Sequence, residues 1–318
     1  MEAGGSSDAM KAAAGNRVRP ELRFLAAGLW ILFTSAALAQ TQNTSARADL
    51  QARYESLQRE LAQNEFGRPL YLDSVEKSGD FIGDIYAIVN HSFAKVNAAL
   101  DEAAQWCDVL ILHLNVKQCR SADGPPVSTL VVHIGTKHTQ ALAAAQQVDF
   151  DFRVQSDTAQ YLQILLRADT GPLGTRNFRI MLEAVPLGAD RSFIHLSYSY
   201  SYGLLARMAM QAYLGTIGRD KVGFSVVGHT AEGRPVYVGD VRGVIERNTM
   251  RYYLAIDAYL GTYELQKHEQ LERRLRDWFA ATERYPLQLH ELSEREYLEM
   301  KRAEIGQQQT TQGRPKSD

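Results

Sequence analysis

Between Phe193 and Gly203 the chain reads FIHLSYSYSYG, with Tyr198, Tyr200 and Tyr202 at every second position and serines between them. An extended strand places alternate side chains on one face, so the three phenols share a surface. That surface is apolar across its rings and carries hydroxyls that need partners when buried. It reads either as a cavity wall or as a sticky exposed edge. An aromatic core with its hydroxyls bonded to backbone is the competing reading. A second concentration of chemistry is ERNTMRYY, where Glu246, Arg247, Asn248 and Arg251 stand beside aromatics. Arg247 and Arg251 share a helical face, and guanidinium forks match phosphate or carboxylate, so the run is a candidate headgroup site at a cavity mouth. It also reads as an ordinary charged helix face, with Arg242 and Glu246 an i,i+4 pair.

The motifs of established chemistries are missing. GFSVVG (Gly223–Gly228) lacks the G-x-S-x-G spacing of a nucleophile elbow. HEQLE (His268–Glu272) resembles a zinc-protease helix until Glu272 takes the place of the second histidine ligand. His133 and His138 belong to different local elements, and DTGPLGT lacks the lysine and the strand-to-helix setting of a phosphate loop. No catalytic residue, metal or cofactor is therefore assigned. The net charge of −2, without a long basic run, gives no reason to expect nucleic acid as a partner.

The amino-terminal 39 residues read as a secretory signal. Arg17, Arg19 and Arg23 precede the apolar block FLAAGLWILF (Phe24–Phe33), and ALA (Ala37–Ala39) supplies the small residues of a cleavage site. The block falls short of the roughly 20 apolar residues that span a membrane, so no transmembrane segment is expected in the mature chain. The expected location is periplasmic or secreted, after cleavage near Ala39; an uncleaved anchor is the alternative. In an oxidising compartment Cys107 and Cys119, the two cysteines of the chain, are expected to form a disulfide if the chain reverses between them. Two buried thiols are the alternative.

These residues have to be positioned by elements that the pattern also outlines. Leu50, Tyr54, Leu57 and Leu61 recur at helical spacing, within a segment (40–80) read as an N-terminal helix and linker. A strand is expected at Ile82–Asn90, then a helix opened by Ser92, then a second helix to about Leu114 and a strand from Val116. Strand-like runs follow at Thr129–Gly135, Val148–Val154, Tyr161–Ala168, Phe178–Val185 and Phe193–Tyr202. Val148, Phe150 and Phe152 alternate with Asp149, Asp151 and Arg153, the signature of one wet face. Leu204–Gly218 is apolar nearly all round and reads as a buried helix. Residues 229–305 read as a helical extension with a hinge at Gly261 and a capping box at Ser293–Glu296, and 306–318 as a disordered polar tail.

The order of strand, two helices, a run of strands and a long helix resembles the START-like, or polyketide-cyclase-like, helix-grip superfamily over residues 81–228. NHSFAKVNAALDEAAQWCDV is similar to that superfamily's first strand end and helix pair, with Trp106 where an aromatic closes the second helix. NFRIMLEAVPLGADRSFIHLSYSYSYG is similar to its last hairpin. RGVIERNTMRYYLAIDAYL resembles a segment of exported proteobacterial proteins. The resemblance implies an α+β fold, a curved antiparallel sheet wrapped on a long helix, here with added N- and C-terminal helices. It also implies a tunnel between sheet and helix, faced by Tyr198, Tyr200 and Tyr202 together with Ile194 and Leu196, while His195 and the serines point away. The expected function is binding of a hydrophobic or lipid-like molecule by Trp106, the three tyrosines, Arg247 and Arg251. The alternatives are a cyclase- or dehydratase-type enzyme in the same cavity, and an envelope assembly protein that binds a protein partner through its helical C-terminal part.

Overall fold

A computed structural model describes residues 44–77, 79–122, 124, 127–203 and 221–312. The expected signal segment, the helix expected at Leu204–Gly218 and residues 313–318 of the tail lie outside the described residues. Two helices, α1 (residues 44–56) and α2 (Gln58–Ala62), precede the strands β1 (Leu70–Lys77) and β2 (Asp80–Val89). The pair α3 (Phe93–Leu100) and α4 (Ala103–Leu110) follows. Then come β3 (Val116–Ala122), β4 (Ser128–Ile134), β5 (Gln146–Thr158), β6 (Tyr161–Thr170), β7 (Thr175–Leu187) and β8 (Arg191–Tyr202). A short hairpin, β9 (Val226–His229) and β10 (Pro235–Tyr237), leads into the long helix α5 (Asp240–Thr262). The chain closes with α6 (Lys267–Thr282), α7 (Pro286–Leu289) and α8 (Glu294–Gln312).

The first eight strands form one antiparallel sheet in the order β1-β2-β8-β7-β6-β5-β4-β3. Alternation explains its faces: along β5 Val148, Phe150 and Phe152 are buried, while Asp149, Asp151 and Arg153 are exposed. Register shifts at Val154/Ser156 and Arg176/Arg179 insert bulges, which bend strands and increase their twist, and the sheet curves. Helix α5 lies against β1, β2 and β8. Its closest approach to β2 requires a glycine. A Cβ on Gly83 would stand 2.3 Å from Thr249 Oγ1 and 3.3 Å from Ile245 Cγ1. The architecture is thus an α+β helix grip, as expected.

The helix seen in the grip lies beyond the segment in which the resemblance ended. A boundary at residue 228 separates α5 from the sheet it packs on, and a boundary at 81 cuts β1 from β2. From Arg47 onward the described residues form one compact unit. Three smaller expectations also change. α4 stops at Leu110 rather than near Leu114, and α5 runs through Gly261, so the turn comes after Thr262. Residues 306–312 continue α8 instead of being disordered, because Gln308 Oε1 accepts the Cys119 N–H at 2.9 Å and gives this polar segment a docking point. The capping box holds, with the Ser293 N–H donating to Glu296 Oε2 at 2.9 Å. Among the described residues no helix is long and apolar enough to cross a membrane.

Candidate functional site

Tyr198 and Tyr200 are buried on the face of β8 that meets α5, and Tyr202 is half-buried at its end. Neighbouring strands extend the aromatic surface. Phe178 of β7 stacks on Tyr200 at 5.2 Å between ring centres, and Phe81 of β2 meets Tyr202 at 5.1 Å. From the helix side Tyr252 comes within 5.2 Å of Tyr198. Period-two alternation therefore yields the surface expected of it, and cross-strand register adds the two phenylalanines. The Tyr202 hydroxyl donates to the Tyr200 oxygen at 3.4 Å. Desolvation pushes the Tyr198 and Tyr200 phenols well above their ordinary range, and Tyr202 up to about 12. They remain protonated across the physiological range, as hydrogen-bonding groups on an apolar wall.

Where this wall meets α5 the helix turns polar. Asn248 interacts with Tyr198, and its Oδ1 accepts from Arg251 Nη1 at 3.5 Å. His113 lies in the turn after α4 and stacks on Tyr252 at 4.7 Å. Its Nδ1 accepts the Asn115 N–H at 3.1 Å, which assigns the proton of the neutral ring to Nε2. Burial, reinforced by the charges of Arg251, Lys301 and Lys137, holds this imidazole well below its ordinary pKa. It is neutral and a weak base. The Nε2 atom is buried without a hydrogen bond.

Arg247 and Arg251 are both inside the protein, 2% and 1% exposed, rather than on a wet helix face. Arg247 Nη1 donates to the Val222 carbonyl at 3.0 Å. Arg251 Nη2 donates to Glu291 Oε1 at 2.9 Å, the same oxygen that takes Lys137 Nζ at 2.5 Å. Lys221 lies 3.6 Å from the other oxygen. Burial raises the Glu291 carboxyl, but Arg251, Lys137 and Lys221 outweigh it and hold the group below its ordinary value. Lys137 is pushed down to about 8 by burial and by Arg251, against the pull of Glu291.

Trp106 stands apart from this cluster. It is fully buried, and its indole N–H donates to the Leu100 carbonyl at 2.9 Å, locking α4 against α3. Among the described residues no ring contact joins it to the tyrosines. The cysteines behave as expected: Cys107 of α4 and Cys119 of β3 form a disulfide with α-carbons 5.1 Å apart. Among the described residues no group of three or more histidine, cysteine or acidic side chains is placed to hold a metal ion.

The opposite face of the sheet holds a polar group that sequence reasoning missed. His195 points away from the tyrosines, as expected, yet it is buried. Its Nδ1 lies 2.8 Å from Glu183 Oε2 and its Nε2 2.9 Å from Asp84 Oδ1. The Tyr161 hydroxyl donates to Glu183 Oε1, and Tyr86 stacks on the imidazole at 4.2 Å. Helix α1 covers the set, with Arg53 over Tyr86 at 4.9 Å and Tyr54 against Phe193. The residues come from four strands, β2, β6, β7 and β8, so only the register brings them together. No local motif announces them, and the same holds for Lys137 and Glu291, 154 positions apart.

No protein-family model matches the chain. No curated protein is similar to it in sequence. Solved structures similar to it include a conserved protein from Geobacillus kaustophilus, at 11% identity and a TM-score of 0.33, over 57% of this chain and 95% of that one. Human StAR-related lipid transfer protein 5 is similar at 9% identity and a TM-score of 0.29, over 55% and 90%. The Zhui aromatase/cyclase of a Streptomyces species is similar at 11% and 0.29, over 66% and 94%. The class of the protein rests on its own strand order and its long helix against the sheet, and these distant likenesses add no argument to that.

Proposed function

We propose that this is an exported binding or carrier protein for a hydrophobic or amphipathic, lipid-like ligand held between the sheet and α5. The observation that carries the reading is the aromatic surface of Phe81, Phe178, Tyr198, Tyr200 and Tyr202, met from the helix by Tyr252. An apolar wall of this kind suits an acyl or ring system, and the few polar groups at its end suit a headgroup. In this reading Arg247 and Arg251 set the charge around the headgroup, and Trp106 acts through the helix pair it locks.

The cyclase- or dehydratase-type alternative has less support. Its proton-transfer groups would be phenols kept protonated by burial and a histidine of low basicity. An assembly role for the C-terminal helices is weakened by their use inside the fold, where Trp278 of α6 donates to the Arg251 carbonyl at 3.1 Å. The deciding experiment is native mass spectrometry of protein purified from its own envelope, followed by organic extraction. The expected result is a bound lipid-like mass released by solvent, and an N-terminus at Gln40. Repeated recovery of ligand-free protein that gives no mass shift with fatty acids or phospholipids overturns the reading.

A further inference from the structure

The outer face of the sheet, turned away from α5, is wet over much of its width: Asp151, Arg153, Arg167 and Arg179 are exposed on it. Under α1 it is dry. Tyr161, Phe193 and His195 are buried there, on the face opposite Ile194 and Leu196, so what buries them lies outside the sheet. Tyr54 of α1 meets Phe193 at 5.1 Å, and Arg53 lies over the rings of Tyr86 and Tyr71 at 4.9 and 5.5 Å.

This cover is lightly held. Helix α8, by contrast, is tied to the main chain of the sheet: Gln308 Oε1 takes the Cys119 N–H at 2.9 Å, and Lys301 Nζ donates to the Val116 carbonyl at 2.7 Å, which closes the β3 edge. No backbone hydrogen bond joins residues 47–56 of α1 to a strand, and of residues 44–56 only Leu50 is buried.

The polar set under α1 depends on one proton. Glu183 Oε1 is served by the Tyr161 hydroxyl and by Gln163 Nε2 at 3.2 Å, whereas Oε2 faces His195 Nδ1 at 2.8 Å. Asp84 Oδ1 faces Nε2 at 2.9 Å. An imidazolium donates to both carboxylates. A neutral ring has one N–H, so in either tautomer a ring lone pair points at a carboxylate oxygen. Two mostly covered carboxylates then lack the cation between them, and water is their relief. The other groups that face the ring do not replace it. Tyr71, Tyr86 and Tyr161 are phenols whose pKa values burial raises. Asp73 stands opposite Asp84 on β1, and Asp49 of α1 acts on Tyr161; both add negative charge. Arg53 is placed over the tyrosine rings. Strand β8 is paired on both sides, to β2 and β7, and cannot yield. The helix can.

We propose that Asp84, His195 and Glu183 form a pH-operated latch for α1: the imidazolium, paired on both sides, keeps the helix on the sheet, and loss of its proton lets the helix lift and bares Tyr86, Tyr161 and Phe193. Burial lowers the proton affinity of His195, but the two carboxylates outweigh it. The latch is therefore closed in acid and opens as pH rises through a folded value above about 6.5. It is separate from the aromatic surface facing α5 and stands or falls independently of the ligand reading.

The test is hydrogen exchange by the full chain, each amide's rate being divided by its unfolded-chain rate at the same pH, beside a nuclear magnetic resonance titration of the His195 ring. Between about pH 5.5 and about pH 8.5 the protection of the Leu50–Tyr54 amides is expected to fall about tenfold or more, with a midpoint that follows the ring titration, while the Ile194 and Leu196 amides keep theirs. In His195→Gln, whose side chain does not titrate, protection of α1 is expected to be the same at both pH values. Protection of α1 that does not change with pH, a midpoint apart from that of the ring, or an equal loss at Ile194 and Leu196 overturns the proposal. So does the same fall in His195→Gln. The comparison within the parent chain decides the matter even if the variant does not fold.

Discussion

Glu246 offers the sharpest test of how α5 is held against the sheet. Its carboxylate is completely buried and accepts four hydrogen bonds. Ser74 Oγ and Ser225 Oγ reach Oε1 at 2.5 and 2.7 Å, and the Phe224 and Ser225 amides reach Oε2 at 2.6 and 2.9 Å. Arg242 Nη2 lies 4.0 Å from Oε1. One side chain therefore joins α5, β1 and the segment entering β9. In Glu246→Gln the amide oxygen can still serve the two N–H groups, and its NH2 can face Ser225 Oγ, which rotates to accept; Ser74 Oγ already accepts from Arg242 Nε and Nη2 at 3.1 and 3.0 Å and loses its acceptor. Three charge-assisted bonds become neutral and one is lost, at about 1 kcal/mol each. Relief of the buried charge returns part of this, leaving a net loss of about 2 kcal/mol. Glu246→Ala strands both amides and is expected to cost about 3–5 kcal/mol. Urea unfolding reads the difference: with an m-value of about 3 kcal/mol per molar, the Gln variant should unfold about 0.7 M earlier. Hydrogen exchange at the Phe224 and Ser225 amides should rise in both variants. A Gln variant as stable as the parent, with both amides still protected, refutes this account of the anchor.

Three further outcomes are expected. Gly83→Ala, which drives a methyl against Thr249, should lose about 1–3 kcal/mol, and Thr249→Ala in the same chain should recover part of that loss; strict additivity would show that the contact does not limit the approach of α5. Reduction of Cys107–Cys119, which closes a loop of 12 residues, should cost about 3 kcal/mol in urea unfolding of otherwise identical protein, and equal stability of the two forms would contradict it. Burial lowers the affinity of His195 for a proton, but Asp84 and Glu183 more than reverse this and raise its pKa above the ordinary value. The stability it contributes should be complete below about pH 6.5 and fall as pH rises through the higher folded value, and His195→Gln should remove that slope from the difference between the two proteins.

The strands from β4 to β8 were legible because each buries one face, and alternation records that directly, as Val148, Phe150 and Phe152 do. The tyrosine surface followed from the same rule. β1 was missed because its buried residues, Leu70, Leu72 and Ser74, end in a serine, and its outer half is exposed. The part of α5 in the grip was not legible for a different reason. A helix bearing Glu246, Arg247 and Arg251 looks wet, and the apolar Leu204–Gly218 looks buried. In α5 these three charges are nonetheless interior, and each is met by a group far away in sequence: Ser74, Val222 and Glu291. Local periodicity carries no information about such partners. The Asp84–His195–Glu183 set was hidden likewise, since register alone brings it together.

The closure of the β3 edge by α8 has a consequence for how the chain comes into being. Lys301 and Gln308, which reach Val116 and Cys119, leave the ribosome after all eight strands of the sheet. Until then β3 has no neighbour on one side, however well the other strands have paired. Folding during synthesis therefore stops short of completion, and a translation product ending before Gln308 presents a bare strand rather than a slightly shorter protein. Premature termination before α8 is accordingly a route to self-association, and quality control that recognises unpaired strands has its substrate there.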